Sequence, residues 1–319
     1  MRRDIQLIVL LGLLWALGVA AFALVPRSHP FTASVTDPRL AACWRRIQDP
    51  APMGVVFLGS SRTMSGLDTP FLSERLGVEA VNLASNWYGP DLWLSLGRGV
   101  LESHRPALLV VEIDFLRHYH GHVNFKSAAP LRDVLAAPPS WETPANLLYS
   151  MPRALLQGLR WSLGRAPGRE LEQHGFLALE QPPEKAHRDA ERRRAELASL
   201  GPISGEALEP RGQLSKELAN LALSPQLACY QELRRNCEEH GARLLLLPLP
   251  KFRVSRMTDE RRRYWRETAD LLELPPDLLD DPTWWFDPTH LNPRGARVLA
   301  EHLEPRLRVL LNEGSKVKI

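Results

Sequence analysis

Short apolar runs alternate with amphipathic stretches along much of the chain. Runs of this length, bounded by turn-forming residues, are typical of buried strands, and the intervening stretches have helical periodicity. Repeated strand and helix segments predict βαβ units with right-handed crossovers. The pattern therefore predicts an α/β domain with a parallel sheet, with strands at 54–58, 79–83, 107–113 and 243–249.

Capping residues mark where several of the helices begin. Asp37, Asp68 and Asn292 each precede a proline by one or two positions, a combination typical of helix N-termini. Further helices are expected after Pro90 and over about 225–240. The proline-rich stretch at about 115–223 breaks the pattern and is expected to be a mainly helical insertion.

The N-terminal apolar segment predicts a membrane anchor. Residues 5–25 contain no charge, and about 20 apolar residues are enough for a helix to cross a bilayer. Arg2 and Arg3 precede the segment, which predicts a cytoplasmic N-terminus with the rest of the chain in the periplasm. A cleaved signal peptide is the alternative, although Ala21 and Ala23 form a poor cleavage site.

These features together predict how the chain is organised. We expect an inner-membrane anchor at 1–26, a juxtamembrane connection at 27–53 and one α/β domain at 54–319 that contains the insertion. The net charge of +3 gives no reason to expect nucleic acid binding. Cys229 and Cys237 are too far apart on one helix to pair, so they are expected to be small buried hydrophobes unless Cys43 pairs with one of them.

Two segments carry candidate chemistry. The first strand ends at Gly59, followed by Ser60 and Ser61, and ligands of open α/β sheets bind at this edge. Asp287 and His290 lie three residues apart, just before the last helix. A serine needs a base to become a nucleophile, and the base is usually a histidine oriented by a carboxylate. The two segments therefore predict a serine nucleophile.

Three motifs in this order resemble the SGNH/GDSL hydrolase superfamily. They are Gly-Ser-Ser at 59–61, Asn-Leu-Ala at 82–84 and Asp-Pro-Thr-His at 287–290. The Gly-Ser-Ser-Arg form with an N-terminal anchor is most similar to the cell-envelope branch, which includes DltD-like and alginate O-acetylation proteins. The resemblance covers roughly 54–115 and 225–312. It implies a three-layer α/β/α fold with a flavodoxin-like parallel sheet.

The same resemblance implies a role for each site residue. Ser61 would be the nucleophile, His290 the general base and acid, and Asp287 the carboxylate that orients His290. The N–H of Ser61 would donate to the oxyanion. Gly89 would supply a second N–H, with Asn86 a competing candidate.

The third sequence block departs from the family pattern. The strand ends Val-Glu-Ile-Asp at 111–114, without the asparagine that donates to the oxyanion in the family. Asp114 is expected to hold Arg62 or a substrate hydroxyl instead. Arg62 is a candidate replacement donor, and a salt-bridge role for it is the equal alternative.

The resemblance implies a membrane-anchored serine acyltransferase or esterase that acts on O-acetyl groups of an envelope or secreted polysaccharide. It also implies a membrane-bound O-acyltransferase as partner, and no cofactor is expected. A non-catalytic polysaccharide-binding or assembly factor is the alternative, and a periplasmic lipase or thioesterase is a third.

Other side chains near the expected site have open roles. The alternating histidines could contact carbohydrate, and a metal site is the less favoured reading. The aromatic residues beside the motif loops are expected to be mainly core, with one or two stacking on a sugar ring. The histidines are His118, His120 and His122, and the aromatic residues are Trp87, Tyr88, Trp284 and Trp285.

Overall fold

The computed structural model describes the two ends of the predicted α/β domain more fully than its middle. The described residues are 37–86, 88–113, 122, 125, 129, 133, 176, 227–249, 251–252, 257 and 259–315. The predicted anchor and almost all of the predicted insertion therefore lie outside them. Within the described part, no helix has the length and apolar character needed to cross a membrane.

The described strands form one parallel sheet, so the predicted α/β class is confirmed. The strand order is β2-β1-β3-β4-β5, which is consistent with a flavodoxin-like sheet. The order reverses between β1 and β3, and ligands of such sheets bind at this point. The strands are β1 Val55–Leu58, β2 Ala80–Asn82, β3 Leu108–Ile113, β4 Arg243–Pro248 and β5 Asp270–Leu271.

The four predicted strands are all present, and β5 was not predicted. β5 has only two residues, one of them charged, so it has no apolar run to mark it. Its pairing with β4 joins Leu245 to Asp270 and Leu246 to Leu271. Pairing with a long neighbour, rather than local sequence, creates this edge strand.

Helices flank the sheet, and most of their predicted boundaries are confirmed. Asp68 accepts a hydrogen bond from the Phe71 N–H at 3.0 Å and so caps α3, as predicted. Gly77 ends that helix with φ +69°, a conformation that glycine adopts at low cost. The helices are α1 Pro38–Gln48, α2 Ser61–Gly66, α3 Thr69–Leu76, α4 Pro90–His104, α5 at 227–239, α6 Asp259–Thr268 and α7 Pro293–Ser315. A short 3₁₀ helix spans Pro282–Trp284.

The sheet is covered on both faces. On one face, strand side chains such as Phe57 and Val110 share a buried cluster with Leu72 of α3 and with Leu303 of α7. On the other face, a Cβ added at Gly97 of α4 would lie 3.4 Å from side-chain carbons of Leu58 and Leu109. It would also lie 2.6 Å from Leu233 of α5, so glycine lets these two helices approach closely.

The chain divides into two compact units. One comprises Met1–Arg45 with Asn124–Arg169, and the other comprises Arg46–Val123 with Glu170–Ile319. In the first unit, α1 begins with Asp37 accepting from the Arg39 N–H at 2.8 Å, and Leu40 is fully buried. The sheet belongs to the second unit.

All three cysteines are free and buried. The expectation of small buried hydrophobes is therefore confirmed, and the alternative disulfide to Cys43 is wrong. Burial raises the pKa of Cys43 to about 11 and those of Cys229 and Cys237 to about 12. These thiols are therefore poor nucleophiles near neutral pH.

Candidate active site

The turn after β1 presents Ser61 at the carboxyl edge of the sheet. Ser60 is the N-cap of α2, and its Oγ accepts from the Arg62 N–H at 3.3 Å. Ser61 is the first helical residue, so its own N–H has no acceptor within the helix. Ser61 is partly exposed, unlike the buried residues that follow it in α2.

The loop before α7 holds Asp287 and His290 in a closed turn. The Phe286 N–H donates to the His290 carbonyl at 2.8 Å. Asp287 Oδ1 accepts from the backbone N–H groups of Thr289 and His290, at 2.7 and 2.9 Å. Asn292 then caps α7 by accepting from the Gly295 N–H at 3.1 Å. The carboxylate is therefore fixed by its own turn, and the helix begins immediately afterwards.

The structure brings Ser61, His290 and Asp287 together in a hydrogen-bonded chain. The distance from Ser61 Oγ to His290 Nε2 is 2.9 Å, and that from His290 Nδ1 to Asp287 Oδ2 is 2.8 Å. Because an ionised carboxylate only accepts, Nδ1 carries a proton and neutral His290 has Nε2 free to accept from Ser61. The His290 and Asp287 side chains are 24% and 34% exposed, so the triad opens to solvent.

Asp287 is held in its ionised form. Burial alone would raise the pKa of its carboxyl group, but hydrogen bonds from His290 and Thr289 outweigh that effect and lower the pKa to about 2. An ionised Asp287 can fix the tautomer of His290 and stabilise the imidazolium that forms when the ring takes a proton.

The two adjacent serines have different surroundings. Ser60 is 7% exposed, and its Oγ lies 2.9 Å from both carboxylate oxygens of Glu112. Ser61 Oγ instead lies beside the His290 base. The geometry therefore favours Ser61 over Ser60 as the reactive hydroxyl.

Sequence reasoning missed Glu112. This residue is 1% exposed on β3, and its carboxylate accepts from the Ser60 N–H at 2.8 Å and from Thr63 Oγ1 at 2.6 Å. A charged residue inside an otherwise apolar strand was the available signal, since a buried carboxylate requires partners. It lies on the same strand face as Leu108 and Val110, two positions further along.

Arg62 lies beneath the turn. It is 8% exposed, and it donates to Glu112 Oε1 at 2.6 Å and to the Leu249 carbonyl at 3.1 Å. This placement favours the salt-bridge alternative over a replacement oxyanion donor. Asp114, which was expected to hold Arg62 or a substrate hydroxyl, lies outside the described residues.

The loop after β2 runs beside the serine turn. The Ser85 N–H donates to the Gly59 carbonyl at 3.1 Å. Asn86 is exposed, whereas Gly89 is buried just before α4. A Cβ at Gly89 would lie 2.7 Å from the His122 Cα, so a glycine is needed for the backbone at His122 to approach this closely. Considering only the described residues, neither the Ser61 nor the Gly89 N–H has a hydrogen-bond acceptor.

His122 clamps this loop from a buried position. Its backbone N–H donates to Asp91 Oδ1 at 2.9 Å, and its Nε2–H donates to the Asn86 carbonyl at 2.7 Å. Burial lowers the pKa of His122 to about 4 and outweighs the opposing effect of the Asn86 carbonyl, so the ring is neutral at pH 7. His118 and His120 lie outside the described residues. Across the described ranges, no three His, Cys, Asp or Glu residues are placed to hold a metal.

Two of the aromatic side chains near the motif loops are core residues. Tyr88 packs edge-on against Trp93, with ring centroids 4.8 Å apart. Trp285 is buried, packs edge-on against Phe252, and donates its indole N–H to the Leu279 carbonyl at 2.8 Å. Trp284 is only partly buried, and Trp87 lies outside the described residues.

Comparison with known proteins adds no relative. No protein-family model matches the chain, and no curated protein is significantly similar to it. The functional interpretation therefore depends on the geometry of the site and on the sequence motifs.

Proposed function

We propose that the protein is a serine acyl-transfer enzyme, an esterase or O-acyltransferase of SGNH type. The hydrogen-bonded chain from Ser61 through His290 to Asp287 carries this proposal. Its three side chains come from two segments more than 220 residues apart, which meet at the carboxyl edge of a parallel sheet. A nucleophile, a base and an orienting carboxylate at these distances are the groups that acyl transfer through serine requires.

The proposed reaction has two steps. Ser61 Oγ attacks the ester carbonyl while His290 Nε2 takes its proton. The tetrahedral intermediate then collapses, the C–O bond to the alcohol breaks, and His290 returns the proton to the leaving oxygen. In the second step, an acceptor hydroxyl attacks the acyl-Ser61 carbonyl and loses its proton to His290. Collapse then releases the acylated acceptor and restores the Ser61 hydroxyl.

The developing oxyanion needs donors. The N–H groups of Ser61 and Gly89 are the proposed pair, because no described residue occupies them. The exposed Asn86 is the candidate side-chain donor. Removal of one oxyanion donor typically costs about 3 kcal/mol of transition-state stabilisation.

The proposed substrate follows from the family resemblance. Together with the charge-free segment at 5–25, it points to an O-acetylated polysaccharide on the periplasmic side of the inner membrane. The same resemblance proposes a membrane-bound O-acyltransferase as partner. The triad opens to solvent, which suits a polymeric acceptor.

The test compares the full-length wild type with the S61A and S103A variants on an acetylated model ester, with acid quenching and intact mass measurement. Ser103 is an exposed serine on α4 and provides the matched control. The wild type and S103A should turn over the ester and show an acetyl adduct, and S61A should do neither. Equal activity and equal adducts in S61A would contradict the proposal. Full rescue of envelope acylation in vivo by S61A would favour the non-catalytic binding role.

A further inference from the structure

We propose that Glu112 is a positioning residue that fixes Ser61 against His290. It does so by accepting hydrogen bonds from the residues on both sides of Ser61, while the Ser61 hydroxyl is left to His290. The kinetic part of this inference rests on the proposed acyl-transfer function, and the geometric part does not.

The donors that bind Glu112 flank the nucleophile in sequence. Ser60 contributes its N–H at 2.8 Å and its hydroxyl at 2.9 Å, on one side of Ser61. Arg62 and Thr63 contribute a guanidinium N–H and a hydroxyl on the other side, each at 2.6 Å. One carboxylate therefore holds the turn before and after Ser61, while the Ser61 hydroxyl faces His290.

The turn is built around this carboxylate. A Cβ at Gly59 would overlap Thr63 Oγ1 and lie 2.7 Å from Glu112 Oε2. Glycine at this position therefore lets the chain pass directly over the carboxylate. A buried charge is costly unless it is paired and hydrogen-bonded, and Glu112 receives both an ion pair and several donors.

Arg62 extends the support towards the other half of the triad. Its second guanidinium nitrogen donates to the carbonyl of Leu249, just after β4. Three residues further on, the Phe252 N–H donates to the Pro288 carbonyl at 2.9 Å, within the loop that carries His290. The segment after β4 therefore contacts both the serine turn and the histidine loop.

If Glu112 had only a structural role, loss of its contacts would lower the stability of the protein and would not reduce kcat independently of KM. A positioning role predicts a loss in kcat, because a misplacement of about 1 Å can cost about 100-fold in rate. The substrate-binding surface would be unchanged, so KM would stay within about twofold of the wild-type value.

The decisive variants are T63V and T63S, with E112Q as the stronger change. T63V keeps the shape of Thr63 but removes the hydroxyl that donates to Glu112. T63S keeps the hydroxyl and loses only a methyl group. E112Q leaves buried Arg62 without its charge partner and can fail to fold, so the Thr63 pair keeps the proposal testable.

The measurements are kcat and KM for the acetyl ester, and the thermal midpoint of the full-length protein. T63V is expected to lose about 10-fold in kcat at unchanged KM, T63S to recover most of that loss, and folded E112Q to lose about 100-fold. E232Q is the control. It removes the ion pair between Glu232 of α5 and Arg98 of α4, and it should keep wild-type kcat. Wild-type kcat in T63V, or an equal loss in T63S, would overturn the proposal.

Crystal structures of the variants separate this proposal from the proposed function. In folded E112Q or T63V, the Ser61 Oγ to His290 Nε2 distance should lengthen beyond about 3.5 Å, outside hydrogen-bonding range. An unchanged 2.9 Å distance would overturn the positioning role, whether or not the wild type turns over the ester. If the wild type is inactive but the distance lengthens, the proposed function fails and the positioning role stands.

Discussion

At the scale of single residues, adjacent side chains have different tasks. Ser60 caps a helix and donates to a buried carboxylate, while Ser61 faces a base. One carboxylate oxygen of Asp287 accepts from the backbone of its own turn, and the other accepts from the His290 ring. The His290 ring is therefore already oriented by Asp287, which is the preorganisation that the proposed acyl transfer needs.

The D287N variant tests that orientation. An amide at this position can donate to His290 Nδ1 and so favours the wrong ring tautomer, which leaves Nε2 protonated and unable to accept from Ser61. We expect kcat for the acetyl ester to fall by about 10²- to 10⁴-fold with little change in KM. A fall of less than about threefold would contradict the assigned role.

The lowered pKa of Asp287 also predicts how the activity of the wild type depends on pH. The pKa of Asp287 is lowered to about 2, so the carboxylate remains ionised well below neutral pH. Protonation of Asp287 should therefore contribute no loss of kcat above about pH 4, which a pH profile of kcat for the acetyl ester checks.

At the scale of elements, the site depends on how β1, β3 and α2 meet. Gly59 ends β1, Glu112 comes from β3, and both lie against Thr63 of α2. Asn82 of β2 adds to this arrangement, because its side-chain N–H donates to the Thr63 carbonyl at 2.8 Å. The helix that carries Ser61 has only six residues, so these neighbours hold it in place.

Two glycine-to-alanine variants separate packing from backbone conformation. G59A places a methyl group onto Thr63 and Glu112, so the turn must shift and acyl-transfer activity should be lost. G77A meets no atom within 4 Å but sits at φ +69°, so it should cost about 1 kcal/mol of unfolding free energy without loss of kcat. Chemical unfolding and kcat measured on both variants provide the check. Wild-type kcat in G59A would contradict the packing argument.

At the scale of the whole molecule, the sequence predicts the sheet well because parallel strands buried on both faces are continuous apolar runs. Capping residues such as Asp68 and Asn292 are local signals and likewise predict helix starts. The partners of Glu112 could not be predicted, because they depend on the register between β1 and β3. The short strand β5 is created by pairing and has no local signal.

The stability of the whole molecule should depend on His122. Its folded-state pKa of about 4 lies below the ordinary value of 6.5, so the unfolded chain binds the proton more tightly. The resulting stability is fully present above about pH 6.5 and is lost as the pH falls towards 4. H122Q can keep a hydrogen bond to the Asn86 carbonyl but does not titrate.

Urea unfolding of the wild type and H122Q between pH 7 and pH 4 tests this expectation. Over that range, the wild type should lose on the order of 3 kcal/mol more unfolding free energy than H122Q. Parallel curves for the two proteins would contradict the assignment of a buried, neutral His122.

The most direct test of the central claim is covalent labelling of the nucleophile. The full-length protein is treated with a fluorophosphonate, and trypsin then releases residues 47–62, which contain Ser60 and Ser61 as their only serines. Fragmentation mass spectrometry should place one phosphonyl group on Ser61, with no label in S61A and labelling slowed by at least about 100-fold in H290A. A label on Ser60, or no label on this peptide in the folded wild type, would contradict the account.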